Sequence, residues 1–321
     1  MSITGGLQLK HKEDRRVLVF LGVYVTAIAA GFLFYSSMSW WQVAALTVAL
    51  SWGGFITATI VHNIVHFPMT KSPRLNRMIQ VGISAIYGNS VSVFVRGHNY
   101  SHHRHMQTRK DLMRTTKARF RWNFLNQALF VFIVGPAIDR GNKVYIAREK
   151  EADTPLYHQF VLERRVVVIS SVILLIAHFP AAFFFGAIPR IFGIWAIVGI
   201  NFIQHDGCDE THPFNHSRNL VGPLMNWWTF NNGYHTAHHH DPGLHWTKLP
   251  AAHAKDVAPH IHPALNETNM FTYLFRSTIW RGRVTYEGAP YSPAPCGEDE
   301  EWIPRTIEMP DDVSAGAVGR S

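Results

Sequence analysis

Four histidines crowd the stretch RGHNYSHHRH at residues 96–105: His98, His102, His103 and His105. Further groups stand at His62 and His66 (HNIVH), at His205 (NFIQH) and at residues 235–240 (HTAHHH). Imidazole binds zinc, copper, iron and nickel, whereas one isolated histidine-rich tract can equally be solvated surface. Here the spacing speaks for ligation. A helix turns by about 100° per residue, so His62/His66 and His98/His102 at i, i+4, and His235/His238 at i, i+3, share faces. The adjacent pairs His102–His103 and His238–His239 point about 100° apart and suit two different ions. His62, His66, His98, His102, His103, His205, His235, His238 and His239 together offer nine nitrogens. A tetrahedral zinc takes about four. Nine therefore fit two ions of four or five nitrogens each, with positions left open for a small molecule.

Several other chemistries fail on inspection. A zinc-protease helix needs Glu straight after its first His, but Asn63 follows His62 and Asn99 follows His98. A zinc deaminase needs a Cys-x-x-Cys pair, which the distant Cys208 and Cys296 cannot supply. Two cysteines also make no disulfide framework. No glycine-rich nucleotide loop or serine-nucleophile elbow is present.

The elements that must position these histidines look membrane-bound. Of 321 residues 47% are hydrophobic and only 16% charged, against a usual quarter or so, which fits a chain partly solvated by lipid. Residues 17–35 and 40–61 are uncharged runs of spanning length joined by a short linker, and residues 166–185 and 189–204 form a second such hairpin. The fold expected is all-α, with four transmembrane helices in two hairpins and a cytoplasmic helical cap carrying the histidines. Residues 78–95 and 122–138, apolar but broken by Gly, Asn and Gln, read as helices lying at the interface. Lys and Arg outnumber acids by about 17 to six in residues 67–165, whereas the hairpin tips hold Arg190 alone. The prediction is a multi-pass integral membrane protein with both termini and the histidines on the cytoplasmic side, and no cleavable signal. Residues 1–283 are expected to form one membrane-embedded domain, and residues 284–321, with GEDEE and MPDD, a loosely ordered acidic tail containing prolines.

The set HNIVH, HNYSHH and HTAHH, flanked by membrane hairpins, resembles the three histidine boxes of the membrane-bound fatty acid desaturase and alkane hydroxylase superfamily. NFIQH resembles the Asn-x-x-x-His that such enzymes carry at the end of a late span. The resemblance covers about residues 17–260. It implies a non-haem di-iron centre, two iron ions with O2 as co-substrate, acting on a fatty-acyl or alkyl chain. The nine histidines would be the iron ligands, with Asn201 close to one iron. Desaturation is the first reading, with hydroxylation or oxidative decarboxylation to a terminal alkene as alternatives.

The other histidines have plainer expectations. His105 and His240 extend boxes beyond what two sites need, and His212, His216, His245, His253, His260 and His262 are expected at the surface or supporting the ligands. His178 falls within the third expected span, bonded to a neighbouring helix. Asp111, Asp206, Glu210 and Asp241 are candidates to orient ligand rings through the second nitrogen. Trp227, Trp228 and Trp246 could line a substrate entrance or anchor at the interface. A substrate channel could run past Phe183, Trp195 and Phe202, with a polar head near Arg96 or Lys248. Electrons should come from a separate ferredoxin-like protein, since no haem, flavin or nicotinamide signature is present. Arg109, Lys110, Arg114, Lys117, Arg119 and Arg121 offer a basic surface to that donor, to an acidic acyl carrier or to anionic lipid. No nucleic-acid partner is expected. A metal transporter or sensor, the rival class, would want more ionisable groups in its spans than His178.

Overall fold

A computed structural model of the protein describes residues 8–279 and 282–300. It is mostly helical, and residues 301–321 of the expected tail lie outside the described residues. Among the described residues three helices are long and apolar enough to cross a membrane, Lys12–Ser37, Trp40–His66 and Phe179–His205, and a bent pair, Pro73–Tyr87 with Val91–His103, makes a fourth if it counts as one span. The chain is thus a multi-pass membrane protein. It divides into two compact units, one of residues 8–95 and 146–196, the other of residues 96–145 and 197–300.

In the first unit, α1 (Arg15–Phe34) and α2 (Trp40–His66) form the expected hairpin. Gln42 Oε1 accepts the Ser39 N–H at 2.8 Å and starts α2. Both helices are apolar all round, and Leu33 and Trp40 are 80% and 83% exposed, as lipid-facing side chains would be. At 1.5 Å per residue the 27 residues of α2 rise about 40 Å, more than a hydrocarbon core of about 30 Å. Its last turns, with His62 and His66, can therefore stand clear of the lipid.

α3 (Pro73–Tyr87) begins at a Ser72 cap and ends at Gly88, whose φ of 79° is the left-handed stop that glycine adopts without strain. The chain then bends by 92° into α4 (Val91–Val95). Here α6 (Pro155–Ala177) intervenes: the buried Glu163 carboxylate accepts the Ser92 N–H at 2.9 Å at the start of α4.

The second hairpin differs from its sequence reading. A helix over residues 166–185 with its tip near GAIPR was expected. Instead α6 stops at Ala177, and the hairpin turns at His178, whose Nδ1 accepts the Ala181 N–H at 3.2 Å. Pro180, in the first turn of α7 (Phe179–Ala182), needs no donor partner there. The helix then runs through a π turn at Phe183–Ala187 into α8 (Ile188–His205). That looser turn lies where an α-helix would bring Pro189 against the carbonyl four residues back. α6 keeps Glu163, Arg164 and Arg165 in mid-helix and does not qualify as a span by itself. Arg190 is consequently inside the last span, not at a tip. Its guanidinium donates to Ser171 Oγ at 2.9 Å and to the carbonyls of Ala85 and Ile86 at the end of α3. Such pairing with a helix C-terminus is how an intramembrane cation is tolerated. α2 and α8 touch backbone to backbone: a Cβ on Gly193 would sit 2.6 Å from the Gly54 carbonyl oxygen, so both positions need glycine.

In the second unit, α5 (Asn123–Glu151) extends well beyond the expected 122–138, with Pro136 inside it. Phe130 and Val134 pack on Phe202, which is buried in this core, while Phe183 of the first unit is half-exposed. A two-residue parallel pairing, β1 (Asn219–Leu220) with β2 (Asn266–Glu267), closes the loops around α9 (Pro223–Trp228) and α10 (His235–His240). Buried Arg218 donates to the Ile203 carbonyl at 2.6 Å and the Asp206 carbonyl at 3.3 Å, fixing the end of α8.

Candidate metal centre

Backbone winding decides how the histidines meet. Arg96–His103 is a π-helix, in which hydrogen bonds run i to i+5. Residue i+5, which an α-helix would turn well away, therefore stacks over residue i. Accordingly His103 Nε2 faces His98 Nε2 at 3.0 Å, and His238 Nε2 from α10 faces His103 Nε2 at 3.0 Å. His102 turns the other way, to His205, His235 and His239. There His205 Nε2 faces His235 Nε2 at 2.9 Å, and His239 Nε2 faces the same atom at 3.1 Å. The expected face-sharing pairs His98/His102 and His235/His238 are thus split, the first by the π register and the second because α10 aligns His235 with His239. The adjacent pairs do part, one member to each group. In the first unit His62 and His66 are buried on the last turns of α2, their ring centroids 5.3 Å apart.

These groups fit metal ions. One proton cannot bridge His235 Nε2 to two other nitrogens at once. The Nδ1 of His205 lies 3.1 Å from the His216 carbonyl, which can only accept, so the proton sits on Nδ1 and Nε2 presents a lone pair. His102 repeats the pattern: its Nδ1 donates to Asp111 Oδ2 at 3.0 Å, and its buried Nε2 has no hydrogen-bond partner among the described residues. Ligands bonded at about 2.1 Å and 90° apart would themselves be about 3.0 Å apart, against about 3.4 Å at a tetrahedral angle. The observed edges near 3.0 Å match the 90° case.

Electrostatics keep the rings in ligand form. Burial, then repulsion from His102, pushes His238 down to about 3, and burial with the surrounding imidazoles pushes His239 well below its ordinary value. Both are therefore neutral at neutral pH, as metal binding requires. Burial opposes charge on Asp111, but His102 and the N–H groups of Gln107 and Met113 outweigh it and hold the carboxyl below its usual range.

Of the four candidate acids, Asp111 bonds a ligand ring, while Asp206 is taken up by a buried ion pair with Arg283. Glu210 and Asp241 have no described bond to a histidine ring. Asn201 is buried one turn before His205, and its amide donates to the Met113 carbonyl at 3.4 Å. His105 and His240 belong to neither group, and His240 Nε2 instead lies 2.8 Å from the Pro213 carbonyl. His178 caps a helix, as above. His216, His245 and His253 are buried, and His253 lies with its ring 5.2 Å from that of Tyr234. Trp246 is buried against Phe230, while Trp227 is 53% exposed and pairs with Trp228. Arg218 and the His216 carbonyl carry no sequence signal, because the first bonds backbone carbonyls and the second is one.

Apolar spans combined with two buried histidine groups describe a membrane protein built to hold a pair of metal ions. The fatty acid desaturase family model matches residues 38–269, and the chain belongs to that family. It is also 24% identical over 289 residues to the alkane 1-monooxygenase of Pseudomonas putida, across 85% of this chain and 69% of that protein. The protein is therefore an oxidoreductase of the desaturase and alkane monooxygenase kind.

Proposed function

We propose that this protein is an O2-dependent, non-haem di-iron oxidase that desaturates a fatty-acyl or alkyl chain. The observation that carries this reading is the pair of facing imidazole groups in a member of the fatty acid desaturase family. His102, His205, His235 and His239 would hold one iron. His98, His103 and His238 would hold the other, with Asn201 nearby, and the histidine-box resemblance gives His62 and His66 as further ligands. When bound, such an iron pair supplies two-electron activation of O2 against an unactivated C–H bond. The chain's own part is positioning. Asp111 and the His216 carbonyl fix the His102 and His205 tautomers, Arg218 anchors the end of α8, and burial keeps water from the rings.

The excess of Lys and Arg in residues 67–165 supports a cytoplasmic site and cytoplasmic chain ends. Electrons come from a separate protein. Hydroxylation is the second reading, favoured by the likeness to a protein named alkane 1-monooxygenase. The test is metal analysis of the purified protein, O2 uptake with reductant, and product analysis over acyl and alkyl chains of graded length. Two irons per chain and a new internal double bond are expected. An added hydroxyl would replace desaturation by hydroxylation, a terminal alkene one carbon shorter by decarboxylation, and zinc without O2 uptake would overturn the reading.

A further inference from the structure

The basic run of residues 109–121 is engaged by the chain itself. Residues 294–300 cross it: Arg119 donates to the Ala294 carbonyl at 2.8 Å, and Arg114 donates to the carbonyls of Cys296 and Gly297 at 3.2 and 3.1 Å. Arg109 Nε donates to the Glu298 carbonyl at 2.9 Å, and its carbonyl accepts the Glu300 N–H at 3.0 Å. Glu300 Oε1 lies 3.2 Å from Arg109 Nη1, and three cations converge on Asp299. Its carboxylate lies 2.6 Å from Arg114 Nη1, 2.7 Å from Lys117 Nζ and 3.8 Å from Arg140 Nη2.

Beside this carboxylate opens a cavity of about 830 Å³, within the usual size of small-molecule sites. Arg96, Arg114, Lys117, Arg140 and Lys143 line it, and Leu112, Ile133, Pro136, Ala137 and Val144 supply an apolar wall. Arg96 is buried against the backbone of Gly141, where a Cβ would meet its guanidinium, while Arg140 and Lys143 are exposed at the mouth. Five cations face three strap acids, Glu298, Asp299 and Glu300, so the lining keeps a cationic excess.

We propose that this cavity binds an amphiphile with an anionic carboxylate or phosphate head, and that Asp299 is the chain's own competitor for the head position. Arg114, Lys117 and Arg140 already converge on a carboxylate there, and the apolar wall beside it suits the first methylenes of a chain. The site holds none of the facing histidines. It concerns binding alone and does not depend on the iron reading.

The test measures binding to the full-length protein in detergent, with dodecanoate, dodecyl phosphate, inorganic phosphate and neutral dodecanol as probes. Dodecanol corrects for partition of the chain into the micelle. At low salt the anionic amphiphiles should bind at least about tenfold more tightly than dodecanol, with the advantage shrinking as salt rises. Dodecanoate above dodecyl phosphate would name a fatty-acid source, and the reverse order a phospholipid headgroup. Asp299→Asn should tighten the anions by about tenfold and leave dodecanol unchanged. Arg140→Gln, on an exposed side chain that folding does not need, should weaken them by several-fold. Equal binding of anion and alcohol, inorganic phosphate binding as well as either amphiphile, or Asp299→Asn weakening the anions would each overturn the proposal. Iron content measured on the same samples keeps this outcome separate from the metal reading.

Discussion

Asp111→Asn is the sharpest probe of how the metal centre is held. Asp111 is fully buried, and its Oδ2 accepts from His102 Nδ1 at 3.0 Å and the Gln107 N–H at 2.9 Å, while Oδ1 accepts the Met113 N–H at 2.8 Å. Asparagine keeps the shape and has only one acceptor. If its oxygen takes the Oδ2 position, two bonds survive without their charge assistance and the amide NH2 faces the Met113 N–H. An unmet buried donor costs about 1–3 kcal/mol, and the neutral acceptor holds the His102 proton about half as strongly. Loss of such a partner to a ligand histidine typically weakens metal binding by about 10–100-fold, or roughly 1.4–2.8 kcal/mol. The assay is iron per chain, by mass spectrometry, after dialysis against graded chelator. We expect Asp111→Asn to release one of two irons at roughly 10–100-fold lower chelator, with the second released as in wild type. Superimposable release curves, or equal loss of both irons, would refute the reasoning.

The same assay tests the π register. His103→Ala and His238→Ala should affect one release step, and His102→Ala and His239→Ala the other, with turnover abolished in all four. Were His98→Ala to act on the His102 step, the i, i+4 pairing would be restored and the π-helical grouping lost. Gly193→Ala places a Cβ 2.6 Å from the Gly54 carbonyl oxygen, so α2 or α8 must shift. That overpacking should cost about 1–3 kcal/mol and lower the melting midpoint in detergent by several degrees, and an unchanged melt would mean that the helices do not touch. Burial would raise the Asp299 carboxyl, but its bonds to Lys117 and Arg114 outweigh this and hold it below its ordinary value. A depressed carboxyl stabilises the strap above its unfolded value of 3.8 and loses that contribution as pH falls through the lower folded value. A spin label on Cys296, in a Cys208→Ser background, should stay immobile from pH 7 to about 5 and loosen only in acid. Loosening near neutrality would contradict the pairing.

Much of this was legible because the chemistry is written in residue type. Nine histidines in spaced groups, and the uncharged runs that became α1, α2 and α8, need no tertiary information to be noticed. What the sequence concealed was set by packing. A shift from i→i+4 to i→i+5 bonding over RGHNYSHH changes no residue, yet it moves His103 instead of His102 beside His98. Asp111 and Asp206 look alike in sequence, and only their surroundings decide that one meets a histidine and the other an arginine. The hairpin tip was misplaced for a different reason. Gly186 and Pro189 look like breakers, but a π turn carries the helix through them, while the actual stop at His178 uses a capping histidine and a first-turn proline. Once the tip moves, Arg190 ceases to be a loop charge and becomes a half-buried tie between α8 and the end of α3.

The segment of residues 107–117 joins the two sites described in the second unit, and this governs which variants can separate them. Gln107, at a φ of 61°, turns the chain so that its side-chain oxygen accepts the Thr115 N–H at 2.8 Å and closes the segment on itself. Ser101 Oγ ties it to the π-helix, donating to the Lys110 carbonyl at 2.9 Å and accepting the Leu112 N–H at 3.0 Å. Asp111 then points inward to His102, while Arg114 and Lys117 point to Asp299 and the cavity. Arg114 also donates to the carbonyls of Arg109 and Asp111, and Lys117 to that of Leu112. Replacing either cation therefore loosens the backbone that presents Asp111, and a change in iron retention would follow without any anion binding. Arg140 makes no described bond to the segment and meets the strap only at 3.8 Å. Arg140→Gln should accordingly weaken anionic ligands and leave the iron release curve untouched, whereas Arg114→Gln should disturb both. If Arg140→Gln shifted iron release as Asp111→Asn does, the cavity and the histidine groups would be one site, and the division drawn from this segment would fail.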